Sequence, residues 1–310
     1  MKIAVFGAGV IGSLYAAKLK RAGEDVTVLA RGKRLEDLRS RGLEIEDMRT
    51  GARTQAAVRV VAELDAEEPY DLVLVALRAH QISGALSALA SNRAARAFLL
   101  MVNNAGGYDA WSDTLGAERL ALAFPGAGGS FQGSVVRYRV VSGLLQPTTF
   151  GEPSGPPTAR LREMARMIRR AGFPIAFSAR MDAWQKHHAA WIAPVAAAAW
   201  VLAETGHGQR EEADTLRLSV RAIREGFANL RGLGHPVTPA SLRAWTLIPT
   251  PLLVAALRRA FATEFARTAL AAQSSSARDE IRVLTDQLRA IGREARLPTP
   301  ALDALHVCLG

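Results

Sequence analysis

Gly7-Ala8-Gly9-Val10-Ile11-Gly12 fits G-x-G-x-x-G between an apolar run, Lys2 to Phe6, and a segment in which Ile11, Leu14, Tyr15 and Leu19 share one helical face. That setting suits a loop built for a dinucleotide pyrophosphate. The first glycine turns the chain, the second admits the phosphates to the backbone, and the third lets the helix pack closely on the strand. The unpaired N–H groups at the helix start then meet the anion. The next strand ends Val28-Leu29-Ala30-Arg31-Gly32-Lys33-Arg34, where an acid would bond a ribose 2′-hydroxyl and none is present. Arg31 as a planar donor fork, with Lys33 or Arg34 adding charge, suits a 2′-phosphate instead, so the expected cofactor is NADPH/NADP. One of the two later cations is equally well explained as the start of a solvated helix.

Ligands of open α/β sheets lie beyond the carboxyl ends of the strands, which directs attention to the residues that follow them. Arg78, His80 and Gln81 follow Val75-Ala76-Leu77, and Asn103 and Asn104 follow Leu100-Met101-Val102. Arg78 is expected at the cofactor phosphate or ribose, and Asn103 at the nicotinamide end or the substrate. His80 reads as a helix-start residue. Asn103 and Asn104 read equally well as turn formers ahead of Gly106-Gly107.

The chain holds five lysines and 34 arginines, and beyond residue 33 the one lysine is Lys186. Where charge alone is needed this sequence uses arginine. A lysine ammonium differs in that its surroundings can tune it to release a proton, which makes Lys186 a candidate general acid. It stands in Asp182-Ala183-Trp184-Gln185-Lys186-His187-His188, at the start of a long apolar helix, where an ordinary helix-start lysine is the alternative. His187 and His188 are adjacent and so point in different directions on a helix, and no carboxylate or cysteine cluster accompanies them; no metal site is expected.

To position these residues the first hundred positions offer four near-continuous apolar runs, Lys2 to Phe6, Val26 to Ala30, Asp71 to Ala76 and Ala97 to Val102, as expected of parallel strands covered on both faces. Residues 43 to 61 look like a hairpin-type excursion, and a second β-rich stretch runs from Ser134 to Phe150. After the loop from Gly151 to Pro157, a helix and a short strand extend to Ser178. From Met181 the periodicity is helical, with turns at Gly206-His207-Gly208, Gly232 to Pro239 and Pro249 to Pro251. The expected architecture is an α/β, doubly wound Rossmann-type dinucleotide-binding domain over residues 1–180, followed by an all-α domain over 181–310. The active site is expected in the cleft between them.

The remaining composition narrows the class. Cys308 is the one cysteine, so no intramolecular disulfide or Cys-rich metal site is available, and a reducing, cytoplasmic setting fits. The start at Met1 lacks the pattern of a signal peptide. The longest apolar run, Ala189 to Ala203, is 15 residues, short of the roughly 20 that a membrane helix needs. The formal charge of +10 is spread along the chain without an aromatic-basic recognition motif, so neither nucleic acid nor membrane is an expected partner. A small-molecule carbonyl substrate is expected, and a homodimer is compatible with the chain.

Taken together, GAGVIG, Arg31, LRAHQ at 77 to 81, VNNAGG at 102 to 107, AWQK at 183 to 186, and Asp279-Glu280-Ile281 before Leu297-Pro298-Thr299-Pro300 resemble the ketopantoate reductase family, NADPH-dependent enzymes that reduce a 2-oxo acid to a 2-hydroxy acid. The resemblance covers nearly the whole chain. It implies that Lys186 is similar to the family's catalytic lysine and Glu280 to the carboxylate that binds substrate and tunes it. It also implies that Asn103 is the family's cleft asparagine and that Thr268 stands where a substrate-binding serine is usual. Without the resemblance, Glu280 between arginines reads as a solvated helix residue. The chain departs from the family at Arg78, where lysine is usual, at Asn104-Ala105, and at Arg282. Ala190 and Pro194 replace two asparagines one and two turns after the lysine, so ketopantoate itself is not expected to be the best substrate. The expected reaction is hydride transfer to a 2-oxo acid carbonyl such as that of 2-dehydropantoate, with Lys186 protonating the alkoxide and Asn103 and Thr268 orienting the substrate. An imine or another ketone as electrophile, and a non-catalytic NADPH-binding regulatory protein, are the alternatives.

Overall fold

The computed structural model describes residues 1–205, 209–263 and 277–309. The chain divides into two compact units, Met1–Val102 with Tyr108–Met181, and Asn103–Gly107 with Asp182–Gly310. The short segment Asn103–Gly107 thus groups with the later unit, although the chain before and after it belongs to the first.

The first unit runs β1 (Lys2–Phe6), α1 (Val10–Arg21), β2 (Asp25–Leu29), α2 (Gly32–Arg41), β3 (Leu43–Asp47), β4 (Arg53–Ala56), β5 (Arg59–Val61), β6 (Leu72–Val75) and α3 (Ala79–Ser91). It continues with β7 (Phe98–Met101), α4 (Asp109–Leu115), β8 (Leu120–Phe124), β9 (Ala127–Gln132), β10 (Val135–Val140), β11 (Thr148–Gly151), α5 (Ala159–Arg170) and β12 (Ile175–Phe177). Eight strands form the main sheet in the order β12-β11-β8-β7-β6-β1-β2-β5. The four expected runs lie parallel at its centre, buried on both faces, which explains their unbroken apolar character. β11, from the later β-rich stretch, runs antiparallel to β8. From β1 the chain passes to β2 on one side and later returns to β6 on the other, so the strand order switches direction at β1. Phe6 pairs with Leu29 and with Val75, which brings Gly7, Ala30 and Ala76 out at one edge of the sheet.

A second sheet, β4-β3-β10-β9, combines the hairpin β3–β4 with strands some ninety positions later, pairing Ile45 with Val136. The stretch from Ser134 to Phe150 therefore divides between the two sheets. Helix α1 packs against strands of both sheets, and Gly12 to Ala17 and Leu19 are all buried. Tyr15 stacks on Phe173 at 4.0 Å between ring centroids, and its hydroxyl shares a 2.7 Å hydrogen bond with Thr148 Oγ1. Burial pushes that hydroxyl well above its ordinary pKa, so it stays protonated. Lys18 lies over the Tyr138 and Phe173 rings, with its pKa lowered chiefly by burial. These contacts fix the axis of α1 and hence the aim of its N-terminus.

Among the described residues, and apart from the Asn103–Gly107 turn and its connecting loops, the second unit has helices as its regular elements. It comprises α6 (Met181–Thr205, whose first residue belongs to the first unit), α7 (Gln209–Gly232), a short 3-10 turn (Ala240–Arg243), α8 (Ala244–Leu247), α9 (Thr250–Phe261), α10 (Ala277–Ala295) and α11 (Pro300–Cys308). Ile281, Leu284, Leu288 and Ile291 place one face of α10 in a core shared with Phe227, Leu230 and Leu302. Glu225 accepts from Ala301 N at 2.9 Å and Leu302 N at 3.0 Å, capping α11 behind its first-turn proline. α6 continues through Pro194, and it meets α7 closely: a Cβ built on Gly226 lies 2.9 Å from Ala190 Cβ. No single helix among the described residues is long and apolar enough to cross a membrane, although the bent pair Ala240–Leu247 and Thr250–Phe261 passes that test together.

His188 is buried on α6, stacked on Trp184 at 5.1 Å, and desolvation pushes its pKa from 6.5 down to about 3. The folded chain keeps it neutral while the unfolded chain protonates it below pH 6.5, so its stabilisation is complete above 6.5 and is lost as pH falls toward 3. Thermal unfolding followed between pH 7 and 4 is expected to fall more steeply for the wild type than for His188→Phe. Parallel curves would place the acid sensitivity elsewhere.

Candidate cofactor and active site

The carboxyl ends of β1, β2 and β6 open onto a groove of about 500 Å³ lined by Phe6 to Gly9, Leu29 to Arg31, Arg34, Leu77, Gln81, Gly84, Ala85 and Phe131. This is where a switch in strand order places ligands. Gly7 has φ +110°, and a Cβ there would lie 2.6 Å from Ala76 O; a Cβ on Gly12 would overlap the Gly7 carbonyl. Both positions are closed to side chains by the packing of α1 on the sheet. A Cβ on Gly9 meets no protein atom within 4 Å, so the loop surface there is accessible to a phosphate. Gly9 is also the N-cap of α1 and supplies no side-chain cap, leaving first-turn N–H groups for an anion. Gly7, Ala8 and Gly9 line the groove, while Val10, Ile11 and Gly12 form the first turn of α1 behind it. On these observations the residues present fit a dinucleotide.

Arg31 is exposed, lines the groove, and makes no ion pair or side-chain hydrogen bond among the described residues. Arg34 is different: neither a solvated helix residue nor a free cation, it is committed to the protein. Its Nε donates to Ala8 O at 3.3 Å, Nη1 to Ser134 O at 3.1 Å and Nη2 to Ser13 Oγ at 3.0 Å, while Phe131 covers the guanidinium at 4.8 Å from the ring centroid. Burial lowers its pKa, without taking an arginine out of its charged form. It therefore braces the glycine loop against the second sheet. Arg78 is half-buried and is not among the groove residues; its backbone N–H donates to Gln81 Oε1 at 3.1 Å, closing the first turn of α3. His80 is exposed in the same turn.

The other site residues fall in the second unit. Lys186 is mostly buried, its side chain 18% exposed, and its Nζ donates to Asp182 Oδ2 at 2.7 Å one helical turn back. Asp182 has no role in the sequence reading; an acid four residues before a lysine was the available signal. His187 is buried, with Nδ1 2.8 Å from Ala183 O and a pKa lowered mainly by desolvation. Glu280 is half-buried in the first turn of α10. Thr268 lies outside the described residues. No group of three or more metal-ligating side chains occurs among the described residues.

The structure separates the paired asparagines. Asn104 is a turn former: its Nδ2 donates to Gly107 O at 2.7 Å and its Oδ1 accepts from Gly106 N at 3.1 Å. Asn103 Oδ1 is buried without a hydrogen-bond partner among the described residues. A buried amide oxygen in that state costs about 1–3 kcal/mol until a donor reaches it, as expected of a group awaiting a ligand N–H or O–H.

Residues 3–154 match the family described as Ketopantoate reductase PanE/ApbA. A 2-dehydropantoate 2-reductase of Mesorhizobium japonicum is 29% identical over 260 residues, 73% of this chain and 77% of that protein. Among solved structures, the 2-dehydropantoate 2-reductase from Geobacter metallireducens superposes with a TM-score of 0.78 at 20% identity, covering 100% of this chain and 99% of that one. The ternary structure of D-mandelate dehydrogenase with NADH and anilino(oxo)acetate gives a TM-score of 0.77 at 16% identity, covering 100% and 97%. The structural likenesses carry the fold across both units.

Proposed function

We propose that this chain, whose residues 3–154 match the ketopantoate reductase family, is a member of it and an NADPH-dependent reductase of 2-oxo acids. The observation that carries the reading is the groove at the ends of β1, β2 and β6, with an accessible glycine loop at one side and the unpaired Arg31, rather than an acid, at the other. Its relatives support the nicotinamide and 2-oxo acid parts of this reading and not the choice of NADPH: the Mesorhizobium protein is named for 2-dehydropantoate, and the D-mandelate dehydrogenase structure holds NADH with anilino(oxo)acetate.

Held against the Gly7–Gly9 loop and Arg31, a dihydronicotinamide cofactor would supply the hydride for carbonyl reduction. Lys186 gives a proton to the carbonyl oxygen as its charge develops, and regains one from solvent. Asp182 holds the ammonium in place before the reaction. Asn103 offers its buried amide oxygen to a ligand donor, and Glu280 adds a carboxylate to the substrate contacts. NADPH oxidation measured against a panel of 2-oxo acids, simple ketones and imines tests the proposal. Turnover confined to imines or ketones moves the electrophile, and no turnover of any carbonyl, with NADPH still bound, makes the chain a binding protein.

Cofactor preference separates the two arginines. Arg31→Ala is expected to weaken NADPH about 10- to 100-fold, from the roughly 1.5–3 kcal/mol of a hydrogen bond to a charged group, and to leave NADH nearly unchanged. Arg34→Ala should weaken both cofactors alike, because what it loses is the brace on the loop. Equal losses of NADPH and NADH for Arg31→Ala would remove Arg31 from the 2′-phosphate.

A further inference from the structure

We infer that Gln287 is a positioning residue that holds the Asn103 loop in its working conformation, an inference that rests on the reductase reading above for the ligand Asn103 meets. Gln287 lies on α10, seven residues or two turns after Glu280, and its side chain is half-buried. Its Oε1 accepts from Ala105 N at 2.8 Å, and its Nε2 donates to Asn104 Oδ1 at 2.9 Å. One side-chain amide therefore satisfies both a backbone donor and the acceptor that organises the turn, across 183 positions of sequence.

The consequences follow from how that turn is wired. Asn104 Oδ1 already accepts from Gly106 N, and Asn104 Nδ2 donates to Gly107 O, so the turn is closed within itself and needs an outside anchor to hold it against α10. Gln287 supplies a polar anchor beside the burial of Ala105 in the helical core, and both are in keeping with the grouping of Asn103–Gly107 with the helical unit. Asn103 is the first residue of the anchored segment and carries the buried Oδ1 that has no partner among the described residues. The same helix that places Glu280 in its first turn thereby sets the position of Asn103. A glycine at 106 is part of the arrangement, because a Cβ there would lie 2.9 Å from Gln287 Nε2 and 3.3 Å from its Cδ. An alanine at 106 would press on the Gln287 amide, whose flexible end must then shift against its hydrogen bonds.

The test compares Gln287→Ala, Gln287→Glu, Gly106→Ala and the double variant Gln287→Ala/Gly106→Ala on the whole chain. With the best 2-oxo acid of the panel, Gln287→Ala is expected to lower kcat by about 10- to 100-fold, the scale of a displacement of an ångström at a reacting group, with the NADPH Kd changed by less than about 3-fold. Gln287→Glu keeps the volume and the acceptor for Ala105 N but sets an oxygen against Asn104 Oδ1, so it should lose kcat as well. Gly106→Ala should reproduce the loss, and the double variant should be no worse than the worse single one, because both changes break the same link. Full kcat in Gln287→Glu, or losses that multiply in the double variant, would overturn the inference and leave Gln287 a packing residue. A wild type that reduces no carbonyl overturns the functional reading instead. In that event amide hydrogen exchange at Ala105 and Gly106 decides the anchor: faster exchange in Gln287→Ala supports it, and unchanged exchange overturns it.

Discussion

Lys186→Ala and Lys186→Arg are both expected to lower turnover by about 10²–10⁴-fold, the usual contribution of general acid–base catalysis, while NADPH affinity stays within a few-fold of wild type. Alanine removes charge and proton together, so by itself it does not say which matters. Arginine separates them: it keeps the cation, and a guanidinium can still pair with Asp182, but it does not give up a proton near neutral pH. The choice of residue in this chain already favours the proton, since a sequence with 34 arginines uses one lysine after residue 33. Lys186 also sits where a simple surface role is hard to sustain, mostly buried and oriented by a carboxylate one turn away. Stopped-flow measurement of NADPH oxidation, with cofactor binding and thermal unfolding as controls, decides the matter. A Lys186→Arg variant near wild-type turnover would reduce the lysine to an electrostatic role.

What could be read in advance was what depends on neighbours in sequence. The glycine motif is legible because its turn is local, Gly12 approaching the Gly7 carbonyl five residues back, although Gly7 also faces Ala76 O from a distant strand. The central strands are legible because burial on both faces leaves an unbroken apolar run. The second sheet is not, since the register of Ile45 with Val136 is a pairing between distant segments of ordinary alternating character. Arg34 is the instructive case. Beside Arg31 and Lys33 it looks like one more phosphate cation, and only the return of the chain at Phe131 and Ser134 gives its guanidinium other work. Gln287 is hidden for the same reason, because its partners Asn104 and Ala105 are far away in sequence. Asn103 and Asn104 show the limit from the other side: identical residues side by side, one closing the turn and one left with a buried acceptor.

Ketopantoate itself is expected to be a poorer substrate than a simpler branched or aromatic 2-oxo acid, by about 10-fold or more in kcat/KM if two hydrogen bonds of about 1 kcal/mol each are missing. The resemblance to ketopantoate reductases places asparagines one and two turns after the lysine, and here those positions are Ala190 and Pro194. Helical spacing alone would set them on the lysine's face as an apolar wall. The structure corrects this: Ala190 is fully buried and packs against Gly226 of α7, and Pro194 is buried as well. The two helices have taken up the volume that an amide at 190 would fill. Pro194 also removes the N–H that would otherwise donate to the Ala190 carbonyl, so the change alters the helix backbone as well as its side chains. Restoring one asparagine should therefore not restore a ketopantoate site. Ala190→Asn is expected to destabilise the chain by about 1–3 kcal/mol, as overpacking does, without raising kcat/KM for ketopantoate. Unfolding midpoints for Ala190→Asn, beside kcat/KM for ketopantoate and the simpler acids in both proteins, test the two halves of the argument. A wild type that prefers ketopantoate, or an Ala190→Asn variant that keeps its stability and gains ketopantoate turnover, would show that the tight contact of α6 with α7 does not set the substrate.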